Sequence, residues 1–312
     1  MKGKCPMEAL ARIETKIQEF LEELKSPLVL TLSRNLQQGK MLRSKLALNI
    51  AGESEECLTL CAIIEMIQSA SLLHDDVIDD ALTRRSKPSI NALFGDKNAI
   101  MLGDVFYSKA FCELTRLQEK YPMIPRIIAN AVATLAIGEI EDVELAKDFN
   151  TDESKYLQMI EHKTAALIEA TAYAAAFLAN KSTEEAQGFR LYGRNLGIAF
   201  QIIDDVLDIV SDSKTLGKPA LSDFKEGKTT LPYIYLYHKL NDSDKMRLKN
   251  AFKKDLQPQE QTWILKELKA NNALAYSIAL AKDLGNRGIE AIANQSCDKL
   301  IEIMREMIER DF

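Results

Sequence analysis

Residues 57 to 80, CLTLCAIIEMIQSASLLHDDVIDD, indicate the fold class and raise the question of function. The apolar part of this stretch predicts a long helix. Because this part carries a Glu and a Gln and is shorter than a membrane span, we interpret it as a core helix. Its end places four aspartates within six residues, an arrangement that neither folding nor solubility requires.

The whole chain has the composition of a helical protein. Its 312 residues are 46% hydrophobic and 28% charged, with a formal net charge of -6, which is typical of a globular protein with a large core and gives no reason to expect a nucleic-acid partner. Gly and Pro together account for only 21 of the 312 residues (13 Gly and 8 Pro), well below their average usage of about 12%. We therefore predict an all-α fold.

No segment divides the chain or directs it elsewhere. It lacks a Pro/Gly/Ser-rich linker, so we predict one domain over residues 1–312. Charges interrupt the N-terminus MKGKCPMEALARIETK, which is no secretory signal, and we expect a cytoplasmic location. Cys57 and Cys61 share a helix face, but an isolated pair of cysteines is far more often part of the core than a metal site, so we interpret both as core residues.

Helical periodicity recurs between short clusters of helix breakers. The predicted helices cover residues 7–25, 40–51, 55–82, 97–118, 125–147, 153–179, 183–211, 229–240, 243–253, 258–269, 272–284 and 288–310. The most loop-like segment is KTLGKPALSDFKEGK at 214–228.

The acidic motif occurs twice. On a helix Asp75 and Asp79 lie one turn apart on the same face, and crowded like charges destabilise a helix. One such cluster alone could be a solvated acidic turn. The segment AFQIIDDVLDIV at 199–210, however, repeats the DDxxD pattern in an apolar helix. Because buried carboxylates need cations, the two clusters predict metal binding.

Ligand chemistry predicts Mg²⁺ and a diphosphate. Carboxylates without nearby Cys or His partners suit a hard cation and disfavour Zn²⁺ and Cu²⁺. His74 would face away from Asp75 and Asp79, so we assign it packing or indirect support. Mg²⁺ held by one or two carboxylates usually completes its coordination with water and phosphate oxygens, which predicts a substrate polyphosphate.

Basic residues accompany the acidic motifs. Arg binds phosphate in bidentate fashion and Lys as a point charge. Any one of them could be a solvated surface charge, but their order along the chain is the stronger signal. The candidates are Lys40, Arg43, Arg84, Arg85, Lys163, Lys218 and Lys228.

The chain resembles the trans-prenyl diphosphate synthases, the polyprenyl synthase family, over nearly its whole length. The resemblance rests on GKMLR, LLHDDVIDDALTRR, GE at 138–139, KT at 163–164, FQIIDDVLD, GKP and EGKTTLP, in this order and approximate spacing. It implies the isoprenoid synthase fold, in which antiparallel helices surround a deep central cavity and the two aspartate motifs face each other. It also implies a homodimer, for which the apolar helices at 97–118 and 125–147 offer surface.

The resemblance implies a role for each motif residue. The ligands of three Mg²⁺ ions would be Asp75, Asp76, Asp79, Asp204, Asp205 and Asp208. The allylic diphosphate would be bound by Arg84, Lys163, Lys218 and Lys228, with Thr164 and Gln201 near the reacting carbons; apart from Arg84, these are the predicted catalytic residues. Isopentenyl diphosphate would be bound by Lys40, Arg43 and Arg85.

Two positions depart from the family pattern. Members commonly carry His six or seven residues before the first aspartate, where this chain has Gln68, which can donate an amide hydrogen bond to isopentenyl diphosphate but carries no charge. Members often carry Gln three residues after the Glu of GE, where this chain has Asp142, to which we assign no role.

The expected reaction joins isopentenyl diphosphate to an allylic diphosphate, such as geranyl or farnesyl diphosphate. The allylic C–O bond ionises in a water-poor pocket, the isopentenyl double bond attacks the cation, and the proton is lost to the released diphosphate. A terpene cyclase of the same fold is disfavoured by the second DDxxD and by Lys40 and Arg43. Retention of both motifs disfavours a noncatalytic partner subunit, and a helical scaffold protein would leave the acidic patches unexplained.

Product length is predicted from helix geometry. A side chain one turn upstream of the first motif lies about 5.4 Å deeper, close to one isoprene unit. Short-chain members commonly carry an aromatic four or five residues before the first aspartate, where this chain has Ser71 and Ala70. An open floor there predicts an all-trans product of about thirty to fifty carbons, suited to a quinone side chain and released toward the membrane, with a stopper deeper near Leu135 or Ile137.

Two alternatives to the long product stay open. A short product, farnesyl or geranylgeranyl diphosphate, is one. The other is that Ala70 and Ser71 are small only because two helices pack closely at that level.

Overall fold

A computed structural model describes residues 6–37, 39–85, 87–210, 221–295 and 297–309. Helix accounts for 79% of the structure and strand for 1%, which confirms the all-α prediction. The first ten helices are α1 (Pro6–Glu22), α2 (Pro27–Ser33), α3 (Leu42–Ala51), α4 (Glu55–Ile78), α5 (Ile90–Phe94), α6 (Asp96–Gln118), α7 (Met123–Leu145), α8 (Glu153–Ile160), α9 (Ala166–Leu178) and α10 (Thr183–Val210).

The later helices are α11 (Ser222–Glu226), α12 (Leu231–Lys239), α13 (Asp242–Ala251), α14 (Pro258–Ala270), α15 (Ala273–Ala291) and α16 (Asp298–Ile308). A π-helical turn, Glu161–Ala165, joins α8 to α9. Strands β1 (Thr83–Arg84) and β2 (Lys87–Pro88) pair antiparallel as a small hairpin.

The internal contacts of the chain divide it into two compact units. Unit 1 comprises Met1–Asn130 and Ala170–Gln187, and unit 2 comprises Ala131–Glu169 and Gly188–Phe312. Helices α7, α9 and α10 contribute residues to both units. The single domain over residues 1–312 stays a prediction.

Helix α4 forms the core of unit 1. Its N-cap residue Ser54 accepts a hydrogen bond from the backbone N–H of Cys57 at 3.1 Å, and the first turn carries Glu55 and Glu56, which complement the helix dipole. Full burial of one large aliphatic side chain is worth about 1.5–3 kcal/mol. The side chains of α4 without exposed surface include Leu58, Leu60, Ile63, Ile64, Met66 and Ile67.

Among the residues that the structure describes, two helices, α4 and α7, are long and apolar enough to cross a membrane by length and composition alone. In α4, 67% of the most apolar window is buried within the structure, as expected of a core helix. In α7 the buried share is 33%, so much of its apolar surface faces outward.

An aromatic cluster forms the core of unit 2 around α11. The ring of Phe224 lies 4.6 Å from that of Tyr233 and 5.7 Å from that of Phe252, measured between centroids. Phe224 and Tyr233 have no exposed surface. Because Asp223 directly precedes Phe224, this packing also fixes where Asp223 lies within unit 2.

The structure differs from the predicted elements in a few places. Helix α15 continues through residues 285–287, where we predicted a break. A Cβ at Gly285 would lie 2.9 Å from Ile308 Cδ1, and one at Gly288 would lie 2.8 Å from Met304 Cε, so the glycines allow close packing of α16. The predicted loop at 214–228 contains α11, while residues 214–220 lie outside the described part. The short helices α2 and α5 were not predicted.

Candidate active site

The first acidic motif lies at the C-terminus of α4. Asp75 and Asp76 belong to its last turn, and Asp79 is the C-cap residue. The last turn holds no basic residue, and the helix dipole is negative at this end, so carboxylates there are electrostatically unfavourable. Local costs of this kind are typical of functional sites.

The β-hairpin returns Arg84 to this motif. Asp76 is buried, and its Oδ1 accepts a hydrogen bond from Arg84 Nε at 2.8 Å and lies 2.7 Å from the second guanidinium nitrogen. Asn91 donates to the backbone carbonyl of Asp76 at 3.1 Å and holds the returning chain. Arg84 therefore neutralises the buried aspartate, whereas Asp75 is half-buried and Asp79 is exposed.

His74 packs against α6. Its Nε2 lies 3.1 Å from the carbonyl oxygen of Ile100 and 3.5 Å from Asp104 Oδ1. A Cβ at Gly103 would lie 2.4 Å from Nε2, so glycine makes room for the ring. The packing role assigned to His74 agrees with this position.

The residues predicted for isopentenyl diphosphate lie in unit 1. Arg85 adopts a left-handed backbone conformation, with φ of 50°, and donates from a guanidinium nitrogen to the carbonyl of Gln37 at 2.9 Å. A Cβ at Gly39 would lie 3.0 Å from the same guanidinium, so Arg85 packs against the loop that carries Lys40. Arg43 follows in the first turn of α3.

In unit 2 the π-helical turn carries Lys163 and Thr164. Such turns are rare in proteins, and those that occur often lie at functional sites. Two glycines make room for the turn: a Cβ at Gly138 of α7 would lie 2.2 Å from the backbone nitrogen of Lys163, and one at Gly197 of α10 would lie 2.5 Å from Ala165 Cα. Close backbone packing on two sides therefore places Lys163 and Thr164.

Two buried carboxylates of α7 hold the Lys163 ammonium. Its Nζ lies 2.5 Å from Asp142 Oδ2 and 2.9 Å from Glu139 Oε2. Asp142, to which we assigned no role from the sequence, thus contacts a predicted catalytic lysine. The i, i+3 spacing from Glu139 was the signal available, because it places both side chains on one helix face.

A series of hydrogen bonds connects the π-helical turn with the second acidic motif. Thr164 Oγ1 donates to Gln201 Oε1 at 2.9 Å, and Gln201 Nε2 donates to Asp205 Oδ1 at 2.8 Å. The buried hydroxyl of Tyr156 donates to Asp205 Oδ2 at 2.6 Å. Both oxygens of Asp205 therefore accept hydrogen bonds from the protein, whereas Asp204 is exposed.

Burial raises the pKa of Asp205 well above its ordinary value, and the charges of Asp223 and Asp204 raise it further. The hydrogen bonds from Tyr156 and Gln201 act in the opposite direction because they stabilise the carboxylate. Crowded carboxylates with little solvent favour a bound cation. This part of unit 2 therefore has the charge and the oxygen donors that a hard cation such as Mg²⁺ requires.

Asp208 has a different environment from Asp204. It is buried; its Oδ1 accepts a hydrogen bond from Ser222 Oγ at 2.5 Å, and its Oδ2 accepts one from the backbone N–H of Asp223 at 3.2 Å. The carboxylate of Asp208 thus connects α10 with the short helix α11 that carries Asp223.

One cavity of about 200 Å³ in unit 2 collects these side chains. The predicted residues that line it are Lys163, Thr164, Gln201, Asp204, Asp205 and Lys228. The lining residues that we did not predict include Asp142, Tyr156 and Asp223. Lys218 lies outside the described residues.

Over residues 6–37, 39–85, 87–210, 221–295 and 297–309, no three His, Cys, Asp or Glu side chains are arranged to hold a metal ion by themselves. Mg²⁺ is commonly bound by one or two carboxylates together with water and substrate phosphates, so the predicted sites do not require such a cluster.

The residues proposed for chain length are enclosed in unit 1. Ala70 has no exposed surface and Ser71 has 4%, and Ser71 Oγ donates to the carbonyl of Gln68 at 3.0 Å. Space at this level is therefore filled, which favours the interpretation that small residues permit close helix packing. Leu135 is buried, whereas Ile137 is half exposed and does not face the interior of unit 2.

Comparison with solved structures gives the class of protein. An octaprenyl pyrophosphate synthase from Helicobacter pylori is 45% identical in sequence and matches with a TM-score of 0.92 over 98% of this chain and 100% of that chain. A polyprenyl synthase from Caulobacter crescentus, complexed with calcium and isoprenyl diphosphate, is 27% identical, with a TM-score of 0.88 over 97% and 94% of the two chains. The protein is therefore a prenyltransferase with the isoprenoid synthase fold.

The chain belongs to the polyprenyl synthetase family, whose sequence profile matches residues 26–268. A short chain isoprenyl diphosphate synthase from Methanothermobacter thermautotrophicus is 35% identical over 243 residues, 75% of each chain. The family resemblance stated from the motifs is thus confirmed.

Proposed function

We propose that this protein is a Mg²⁺-dependent, cytoplasmic, long-chain polyprenyl diphosphate synthase. It adds isopentenyl diphosphate to an allylic primer such as geranyl or farnesyl diphosphate, and its product supplies the side chain of an isoprenoid quinone. The observation that carries the proposal is the unit 2 cavity, which brings Lys163, Thr164 and Gln201 together with Asp204 and Asp205 of the second aspartate motif. The name of the Helicobacter pylori relative supports a long product.

The lysines of the cavity bind and stabilise the allylic diphosphate. Glu139 and Asp142 hold the ammonium of Lys163 in place, so its charge is oriented before the leaving group departs. Lys228 lines the same cavity and adds positive charge to the phosphates. Lys218 has the same proposed role from its motif.

The family uses a divalent metal, and the carboxylates described above fit Mg²⁺. When bound, Mg²⁺ supplies Lewis-acid stabilisation of the departing diphosphate. Asp204, as the exposed aspartate of the second motif, is the proposed direct ligand there, and Asp205 stays fixed by its two hydrogen-bond donors. Asp208 contributes by holding α11, and Asp75 and Asp79 supply the accessible carboxylates of the first motif.

Thr164 and Gln201 orient the reacting carbons. Because Gln201 Oε1 accepts the Thr164 hydroxyl hydrogen, the lone pairs of the Thr164 oxygen stay available to stabilise the allylic cation. Lys40, Arg43, Gln68 and Arg85 bind isopentenyl diphosphate, whose double bond attacks this cation. The proton that is released passes to the departed diphosphate.

The proposal is tested with purified enzyme, isopentenyl diphosphate and farnesyl diphosphate, with Mg²⁺ or with EDTA, and chromatography of the products against chain-length standards. We expect Mg²⁺-dependent elongation, and we expect Asp204→Ala to reduce turnover by orders of magnitude. Asp255→Ala, at an exposed loop aspartate, is the matched control and should leave turnover unchanged. Wild-type turnover in Asp204→Ala, with unchanged circular dichroism, would contradict the metal assignment.

A short-chain product is the second candidate. It is favoured by the complete burial of Ala70, which leaves no open space at the level of the proposed floor. The short chain relative from Methanothermobacter thermautotrophicus is consistent with it. The same chromatogram distinguishes the candidates, because a short-chain enzyme stops at fifteen or twenty carbons.

A further inference from the structure

We propose that Glu65 is the positioning residue of the isopentenyl diphosphate site, where it fixes the first turn of α3 and balances the charges of Arg43 and Arg85 without contacting substrate. The identity of the substrate rests on the proposed function. The role of Glu65 is argued from contacts within unit 1.

Helix α3 begins without a cap of its own. Its N-cap residue Met41 has a left-handed backbone, with φ of 50°, and makes no side-chain cap hydrogen bond. The first N–H groups of a helix need acceptors, and a capping side chain normally binds the N–H of the second or third residue. In α3 the third residue is Ser44.

Glu65, on α4, supplies the missing acceptor from another helix. Its Oε1 accepts hydrogen bonds from the backbone N–H of Ser44 at 3.3 Å and from Ser44 Oγ at 2.6 Å. Ser44 is fully buried, and an anionic acceptor at a helix N-terminus matches the helix dipole. Glu65 therefore fastens the first turn of α3 to the core helix of unit 1.

That first turn carries the binding residues. Arg43 directly precedes Ser44, and Lys40 lies just outside the helix. Although part of the Arg43 side chain is exposed, its Nε is buried and has no hydrogen-bond partner among the described residues. Burial lowers the pKa of Arg43 to about 10, and the charge of Glu65 opposes this effect. An unpaired guanidinium nitrogen of this kind suits an anionic ligand.

The same carboxylate acts on Arg85. Partial burial and repulsion from Arg84 lower the pKa of Arg85, and the charge of Glu65 counters both effects. Glu65 also lines a cavity of about 800 Å³ in unit 1, together with Gly39 and Met41 on either side of Lys40. One partly buried countercharge thus keeps two guanidinium groups compatible beside a space large enough for a small ligand.

A carboxylate is unsuited to bind the diphosphate itself, because like charges repel. Glu65 acts through the arginines instead. Its loss should weaken binding of isopentenyl diphosphate while leaving the allylic site, which depends on Lys163 and Lys228, unaffected.

The test compares Glu65→Gln, which keeps an acceptor for Ser44 and removes the charge, with Ser44→Ala, which removes the hydroxyl donor and keeps the charge. KM is measured for each diphosphate, and isopentenyl diphosphate binding is measured by calorimetry without the allylic substrate. We expect Glu65→Gln to raise KM and Kd for isopentenyl diphosphate about tenfold, and Ser44→Ala about threefold. KM for the allylic substrate should change by less than about twofold, and Glu65→Asp should recover part of the loss.

Glu19→Gln, at an exposed carboxylate of α1, is the control for loss of one negative charge. An unchanged or lowered Kd for isopentenyl diphosphate in Glu65→Gln, at an unchanged melting temperature, would overturn the proposal. Equal increases in both KM values would also overturn it, because they would indicate a general structural role. Failure of the wild-type enzyme to elongate any allylic primer would instead contradict the proposed function.

Discussion

The side chains of two adjacent aspartates on a helix point about 100° apart. When one of them faces the solvent-accessible side of the helix, the other therefore points toward the packed side. Both motifs follow this geometry. Asp76 and Asp205 are buried and bonded to protein donors, whereas Asp75 and Asp204 are more accessible. The buried aspartates hold the local structure, and the accessible ones are the better candidates for direct metal contact.

Two buried tyrosines of unit 2 give a matched test at this scale. Tyr156 donates to buried Asp205, whereas the hydroxyl of Tyr233 has no hydrogen-bond partner within the described part of the chain. We expect Tyr156→Phe to destabilise the protein by about 1–3 kcal/mol, since it removes a hydrogen bond to a buried carboxylate. Tyr233→Phe should be neutral or stabilising, since it removes an unpaired polar group.

Urea denaturation followed by circular dichroism measures both effects. Because the substitutions are chemically identical and both rings are buried, the difference isolates the hydrogen bond. A similar midpoint for the two variants would mean that Tyr156 contributes no net stability through Asp205. Turnover should also fall in Tyr156→Phe, since Asp205 loses one of its two fixed donors.

At the scale of elements, the π-helical turn depends on glycines in its neighbours. Gly138→Ala would place a Cβ 2.2 Å from the backbone nitrogen of Lys163, and a backbone cannot yield as a flexible side chain can. We expect this variant to lose most of its turnover and to melt at lower temperature. Gly285→Ala is the control, because its Cβ would meet only side-chain atoms of Ile308 and Met304 in another helix.

Alanine is favoured over glycine inside a helix by about 1 kcal/mol, and both variants receive this benefit. Thermal unfolding and steady-state assays on the two proteins therefore separate the clash from helix propensity. Normal turnover in Gly138→Ala would show that the turn has another way to accommodate α7.

The chain-length prediction also belongs to a single element, helix α4. If the growing product passes Ala70, then Ala70→Tyr should shorten the product to fifteen or twenty carbons, since the ring blocks the path one turn below the first motif. Ala70→Val is the graded control and should have a smaller effect. Because Ala70 is fully buried, the melting temperature of each variant is recorded beside the chromatogram. An unchanged long product would mean that the tail does not pass this residue.

At the scale of the whole molecule, we propose that the protein is a homodimer that uses the exposed apolar face of α7. Ile137, Ile140 and Val143 expose 50%, 70% and 46% of their surfaces. Their i, i+3 and i+6 spacing places them along one side of the helix, and exposed apolar patches of this kind are typical of interfaces. We also propose that the apolar product is released toward a membrane.

Ile140→Arg should dissociate the dimer, because burying an unpaired charge in an apolar interface is costly. Met246→Arg is the control, since Met246 on α13 exposes a similar 66% of its surface outside this face. Sedimentation velocity measures the oligomeric state of both variants. A wild-type monomer at working concentration would contradict the dimer, and a dimer that persists in Ile140→Arg would exclude this face.

Three features follow from the amino-acid sequence alone: the helical class, the family and the residues of the two acidic motifs. Periodicity is a local property, so α6 and α10 were predicted nearly to their ends, whereas the helix predicted over residues 55–82 extends past the end of α4 at Ile78. The break predicted near Gly285 was wrong because helix propensity ignores the packing of Ile308 and Met304 against that helix.

The sequence does not show which charged side chains share an environment; that depends on how the helices pack. Asp142, Tyr156 and Glu65 stand far from their partners in the chain. The i, i+3 spacing places Asp142 on one helix face with Glu139, but no segment by itself identifies Lys163, Asp205 or Ser44 as the partner. Asp76 and Asp205 are buried, whereas their neighbours Asp75 and Asp204 are more accessible, although both residues of each pair are aspartates in the same motif. The physical reason is that ion pairs, hydrogen bonds and desolvation depend on distances across the fold, which a local pattern does not contain.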